Sequence, residues 1–288
     1  MPQSRPFKQI DVFTSVPLFG NPLAVVLDGA SLSDADMARF ANWTNLSETT
    51  FILPATNPAS DYHLRIFTPQ IELKFAGHPT LGSAHAALEA GIARPRNGKL
   101  VQQCGVGLVE IAVPDDWQTA GLSFRLPDHK IWSAADPEAL LDAMGSHCKL
   151  KANPSVIDVG PHWVIAEFED AADVSAFAPS LPALGDYDRK HGTTGLTIFA
   201  ETGDGAGGII VRSFAPTDGI AEDPVCGSGN GSVAAYRLET GSVSRGQSYT
   251  ASQGREIGRD GIIKVRIAED GIHIGGNCVT CVDGMVRI

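Results

Sequence analysis

Apolar residues recur at helical spacing where Met37, Phe40 and Ala41 follow Ser33-Asp-Ala-Asp36, a stretch with capping-box spacing. The helix so predicted ends near Asn45. Residues 48–54 then carry the β-branched and aromatic side chains of a strand closed by Pro54. Residues 61–68 alternate as a further strand and lead into a glycine turn. A second helix is predicted over 79–91, with Pro79 suited to the first position, Leu81, Ala84 and Leu88 along it, and Gly91 at its C-terminal end. A matching helix is predicted over 229–241. Before it, residues 196–200 and 209–214 read as a hairpin joined by a flexible turn, Asp204-Gly-Ala-Gly-Gly208.

These elements occur twice. Arg65-Ile-Phe-Thr-Pro69 lies over Arg212-Ser-Phe-Ala-Pro216, and after three extra residues the stretch beginning Ala76-Gly77 lies over that beginning Cys226-Gly227. Ala84 then meets Ala234, and Leu88-Glu89 meets Leu238-Glu239. A weaker echo sets Ile10-Asp-Val12 and residues 21–26 against Ile157-Asp-Val159 and residues 162–166. Two related halves imply a ligand in the cleft between them. They divide the chain into lobes of residues 1–120 and 121–288, with the border between 115 and 128 and the last strand or two crossing back to the first half.

Length and composition support two compact domains. The chain has 288 residues, 43% hydrophobic and 19% charged. No apolar run approaches the roughly 18 residues of a membrane span. The first residues lack the apolar stretch of a signal peptide, so a cytoplasmic location is expected. A net charge of −11 argues against nucleic acid as a partner, because phosphate binding needs clustered cations. Five cysteines, at 104, 148, 226, 278 and 281, do not form a disulfide framework. Cys278-Val-Thr-Cys281 has the spacing of half a zinc site, but its surroundings alternate as a strand, which would point the two thiols to opposite faces. No second pair of ligands completes it, and no metal is expected.

Chemistry concentrates where each glycine turn meets its helix. Gly77-His78 and Gly227-Ser228-Gly229 place unpaired amides at a helix N-terminus, where the dipole favours a carboxylate. The spacing Gly227-x-Gly229-x-Gly231 matches neither nucleotide-binding glycine motif. Nearby stand Glu48 at a helix-to-strand junction, His78 at the head of the first helix, and Asp223 directly before the second turn. A carboxyl in a closing, partly apolar cleft makes a proton shuttle near neutral pH. Each residue also has a plainer reading: Glu48 as a solvated surface group, His78 as a helix cap, Asp223 as the cap of its own turn.

Several stretches together resemble the PhzF family of phenazine-biosynthesis-like proteins. They are Ile10-Asp-Val-Phe-Thr14, Gly20-Asn-Pro-Leu-Ala-Val-Val26, Asn45-Leu-Ser-Glu-Thr-Thr-Phe51, Arg65-Ile-Phe-Thr-Pro69, Phe75-Ala-Gly-His-Pro-Thr-Leu-Gly82, Phe214-Ala-Pro-Thr-Asp-Gly219 and Glu222-Asp-Pro-Val-Cys-Gly-Ser-Gly-Asn-Gly231. The resemblance implies an α+β, diaminopimelate-epimerase-like fold of two pseudo-symmetric lobes, each a curled mixed sheet around a central helix. It also implies a homodimer that uses neither metal nor organic cofactor. Residue by residue, it makes Glu48 the acid/base and His78 and Asp223 the groups that bind and polarise a small substrate, with the amides of Gly77, Gly227 and Ser228 on its carboxylate. The implied reaction is a proton shift between carbons, similar to that of trans-2,3-dihydro-3-hydroxyanthranilate isomerase.

Related epimerases use two cysteines, one at each helix N-terminus. Here the repeat places Cys226 at one such position and Ala76 at the other, which excludes a two-cysteine racemase. Threonine is the more usual family residue at 226, and alanine is expected at 229 in a phenazine-pathway enzyme. Core packing is the leading role for Cys226. An epimerase pairing Glu48 with Cys226, or a catalytically silent binding protein, stand as the alternatives.

Overall fold

The protein, as a computed structural model, is described over residues 3–145, 149–203 and 207–288. Cys148 and the first three residues of the turn expected at 204–208 lie outside the described residues. The chain divides into two compact units, residues 1–125 with 275–288, and residues 126–274.

In the first unit Ser4–Val12 (β1) pairs antiparallel with Asn21–Val26 (β2), and after Asp34–Thr44 (α1) β2 pairs parallel with Thr49–Leu53 (β3). Tyr62–Phe67 (β4) runs antiparallel to β3 and to the short Glu72–Leu73 (β5). After Gly77–Glu89 (α2), β4 pairs parallel with Lys99–Cys104 (β6), which turns back into Gly107–Ala112 (β7). Trp117–Ala120 (α3) and Leu122–Arg125 (β8) complete this stretch.

The second unit repeats the pairing order. It opens with Lys130–Ser133 (β9) and Pro137–Met144 (α4). Ser155–Asp158 (β10) is antiparallel to His162–Glu167 (β11). Past Ala171–Ala176 (α5) and Leu181–His191 (α6), β11 pairs parallel with Gly195–Glu201 (β12). Ile209–Ala215 (β13) is antiparallel to β12, as the hairpin reading expected, and to Ile220–Asp223 (β14). Beyond Gly227–Glu239 (α7), β13 pairs parallel with Ser248–Gln253 (β15), which turns into Gly261–Ala268 (β16). Gly271–Gly276 (β17) and Cys278–Arg287 (β18) follow, and β18 returns to pair antiparallel with β1.

Both central helices begin earlier than the sequence pattern predicted, at Gly77 and Gly227. Pro79 therefore sits at the third helical position, where its missing N–H falls among amides that have no helical acceptor anyway. The helix α2 is buried over residues 78–87, which rules out a polar face and explains its run of Gly, Ser and Ala. It packs on β1, β2, β3, β6, β8 and β18. Small residues let those strands approach: a Cβ on Gly82 would stand 2.6 Å from Leu23 Cδ2. The helix α1 starts at the predicted cap, where Ser33 Oγ accepts from the Asp36 amide.

The repeated Arg-x-Phe-x-Pro stretch is a structural clamp. Arg65 grips Glu72 through two 2.7 Å bonds and stacks over Phe67 at 5.1 Å. Arg212 grips Glu222 at 2.9 and 2.7 Å and stacks over Phe214 at 5.1 Å. Each glutamate lies four residues before the helix cap, so each arginine anchors the chain entering a glycine turn.

The strand reading of Cys278 and Cys281 needs one correction. Gln9 pairs with Val282 but Ile10 with Thr280, leaving Cys281 as the extra residue of a bulge. Strict alternation therefore does not hold across the pair. Burial pushes the Cys278 thiol up to about 12 and also raises that of Cys281.

The helix α6 carries an acidic group that opposes folding at neutral pH. Burial, aided by the charge of Asp218, raises the Asp188 carboxyl to about 6, although Thr193 Oγ1 donates to it at 2.6 Å. A folded-state value above the unfolded one gives stability that is complete below about 4 and lost as pH rises through about 6. Asp188→Asn is therefore expected to raise unfolding free energy at pH 7.5 by about 1–3 kcal/mol, with the gain vanishing near pH 4. Urea midpoints at the two pH values check it.

Candidate active site

The junction carrying Glu48 is locally determined. Asn45 closes α1 in the left-handed region (φ 54°), and Thr44 Oγ1 bonds the Ala41 carbonyl while meeting Thr49 Oγ1 at 2.7 Å. The chain thus reverses within a few residues and enters β3 with Glu48 just before its first residue. His78 is the second residue of α2. Two contacts hold that helix against the unit: Thr50 Oγ1 meets Ser83 Oγ at 2.9 Å, and Gln102 Nε2 donates to Thr80 Oγ1 at 3.0 Å. The result sets Glu48 Oε2 3.4 Å from His78 Nε2, with the side chains only 15% and 6% exposed. Glu48 is not a solvated surface group. A carboxylate and an imidazole this close can share a proton or form an ion pair.

In the second unit the turn is built around Gln253. Its Nε2 donates to the Asp223 carbonyl at 2.9 Å, and its Oε1 accepts from the Cys226 amide at 3.1 Å and from Asn230 Nδ2 at 2.7 Å. Asp223 Oδ1 accepts from the Val225 amide at 3.0 Å, so it does cap its own turn. Cys226 is the N-cap of α7, its sulfur accepting from the Gly229 amide at 3.2 Å. Ala76, in the equivalent place, offers no side-chain cap. The Gly229 amide is thereby occupied, and a Cβ there would stand 2.7 Å from Ser213 Oγ and 2.8 Å from Thr197 Oγ1. That crowding explains glycine rather than alanine at 229. The amides of Gly227 and Ser228, like that of Gly77, belong to a first helical turn and have no helical acceptor.

Burial pushes the Cys226 thiol well above its ordinary range. The charge of Asp223 adds to this, and the Ser228 and Gly229 donors offset it only in part. Cys226 therefore rests as a neutral thiol. Cys226→Ala is expected to cost about 1–3 kcal/mol in urea unfolding through the lost cap and cavity. Proton-transfer turnover should change by no more than about threefold. A turnover loss as large as that of a Glu48 variant would instead make Cys226 a second acid.

The two turns are not chemically equivalent. Val25 pairs with Thr50 and Ile165 with Thr197, which aligns Glu48 with Gly195. A Cβ on Gly195 would lie 2.1 Å from the Phe214 carbonyl oxygen, leaving no room for an acid. Beyond the clamp glutamates, Asp223 aligns with Leu73, Cys226 with Ala76 and Ser228 with His78. The first unit thus carries the Glu48 and His78 pair, and the second carries Asp223, Cys226 and Ser228.

Sequence reasoning missed Trp163, Gln253, Asn230 and the partners of the clamp arginines. Trp163 is buried, and its indole Nε1 donates to Ser228 Oγ at 2.9 Å. An indole N–H only donates, so the Ser228 hydroxyl is left to donate its own proton onward. Glu72 and Glu222 were detectable, since both sit at the same 150-residue offset as the glycine turns. Among the described residues no group of three or more His, Cys, Asp or Glu side chains is arranged to hold a metal. No helix there is long and apolar enough to cross a membrane.

The paired architecture is that of a class of isomerase- and epimerase-type folds. A crystal structure of a Bacillus anthracis phenazine biosynthesis protein of the PhzF family superimposes with a TM-score of 0.86 at 24% identity, covering 99% of this chain and 100% of that one. The family described as phenazine biosynthesis-like protein matches residues 10–284, and the chain belongs to it. Antisense-enhancing sequence 1 of Schizosaccharomyces pombe is 38% identical over 293 residues, 96% of this chain and 97% of that protein. The trans-2,3-dihydro-3-hydroxyanthranilate isomerase of Pseudomonas aeruginosa is 35% identical over 285 residues, 96% of each chain.

Proposed function

We propose that this chain is a cofactor-independent isomerase that shifts a proton between carbons of a small cyclic substrate bearing amino and carboxylate groups. The observation that carries the reading is the Glu48 carboxylate held 3.4 Å from His78 in a largely buried turn. In the proposed reaction Glu48 takes a proton from one carbon and the C–H electrons shift the adjacent double bond. Glu48 then returns the same proton to a second carbon, so no atom or electron leaves the substrate. His78 and Asp223 bind and polarise the amino and hydroxyl or carbonyl groups. The amides of Gly77, Gly227 and Ser228 receive the carboxylate, which suits a helix N-terminus.

The Pseudomonas aeruginosa relative is named for trans-2,3-dihydro-3-hydroxyanthranilate, a cyclic amino acid of this class, and that compound heads the substrate panel. Epimerisation between Glu48 and Cys226 is the weaker reading, because the raised thiol of Cys226 supplies no resting base. The proposal extends to a homodimer acting in the cytoplasm, to be checked by sedimentation and cell fractionation. The deciding experiment incubates the protein in heavy water, without added cofactor, with the dihydro compound and a panel of cyclic and aromatic amino acids. Carbon-bound deuterium read by NMR supports the isomerase. Binding of a panel member with no exchange would replace it with a silent binding protein.

A further inference from the structure

A cavity of about 630 Å3 lies in the first unit between α1 and the paired ends of β1 and β18, and neither Glu48 nor His78 lines it. Its volume is that of a small-molecule site. The walls carry Arg5, Arg39 and Arg287, and the one acidic side chain among them is Asp36, in a chain whose net charge is −11. Asp36 is already engaged, accepting from Ser33 Oγ at 2.6 Å and Arg39 at 3.0 Å. Arg5 is only 3% exposed and is fixed by the Asp28 carbonyl at 2.6 Å and Ser31 Oγ at 2.5 Å. Its guanidinium is thereby held in place, with the Asp28 carboxylate 3.5 Å away.

The second component is aromatic. Trp43 lines the same cavity and is 76% exposed, an unusual exposure for the largest apolar side chain. It is stacked on Phe40 with centroids 5.9 Å apart and planes 25° apart, which presents a flat, supported ring. A flat ring beside guanidinium groups matches a ligand with a π-face and an anionic edge.

We infer that this cavity binds a small planar aromatic carboxylate, its ring on Trp43 and its carboxylate on Arg39 and Arg287 within the field of Arg5. This site is separate from the turn carrying Glu48, and its occupancy does not depend on that residue.

The test titrates the full chain with 2-naphthoate and follows the Trp43 indole signal by NMR, assigned with Trp43→Phe. Expected is a saturating shift with Kd below about 1 mM, weakened at least about tenfold in Trp43→Ala and in the Arg39→Glu/Arg287→Glu double variant. These three side chains are exposed, so folding is retained, and thermal melts verify it. Glu48→Gln should bind 2-naphthoate as wild type does, and cationic 2-naphthylmethylamine should not bind. Failure to saturate, equal binding of the amine, or undiminished binding in both variants overturns the proposal. So does a Trp43 signal that responds to protein concentration but not to naphthoate, which would make this face a contact between copies of the chain.

Discussion

Glu48→Gln is expected to lower carbon-bound deuterium uptake by about 10^3-fold or more while leaving folding and ligand binding intact. The amide keeps the shape of the carboxyl and still sets a polar atom beside His78, so the turn between α1 and β3 has no reason to rearrange. What it loses is the basic oxygen that the proposed reaction uses to take a carbon-bound proton. The comparison requires three readings on one preparation: exchange by NMR, affinity for a panel member, and thermal midpoint. Retained exchange in the variant would move the shuttle to another group. Lost binding together with lost exchange would make Glu48 a binding residue rather than the base.

The largest stability effect is expected at Arg212. Its Nε and Nη2 grip Glu222, and Nη1 donates to the carbonyls of Val174, Ser175 and Phe177 at 3.1, 3.3 and 2.6 Å. Both members of the ion pair are nearly buried, with side chains 8% and 9% exposed. Arg212→Met would strand the Glu222 charge and three carbonyls and should cost about 3–5 kcal/mol. The equivalent Arg65 is 19% exposed and its partner Glu72 43% exposed, so water can solvate what a substitution leaves behind. Arg65→Met should cost only about 1–2 kcal/mol. Urea unfolding, with hydrogen exchange on β4 and β13 read separately, measures the difference. Equal costs would show that the repeated clamp is energetically symmetric despite its unequal burial.

The parts legible in the sequence share a physical cause. The cap of α1, the glycine turns and the 150-residue repeat are written in neighbouring residues or in direct self-comparison. The sequence pattern sets the helix starts two residues late because Pro79 suits a first position, although the entire first turn tolerates proline. The alternation across Cys281 failed because a bulge is set by the partner strand β1, not by the strand's own pattern. Glu48 could be singled out only through family resemblance, since nothing local separates it from the other acidic residues.

Taken by itself, the sequence determined that there are two related halves, that each has a glycine turn leading into a small-residue helix, and that the chain is a member of its family. Those features depend on periodicity, on glycine's missing side chain and on motif order, all of which are local. Only the tertiary structure decided that Glu48 meets His78 thirty residues on, that Gln253 ties Asp223 to Cys226, and that Trp163 aims the Ser228 hydroxyl. It alone showed that Gly195 occupies the place where a second acid would stand. Such pairings arise from strand register and helix docking between distant segments, and no single stretch of the chain contains both partners.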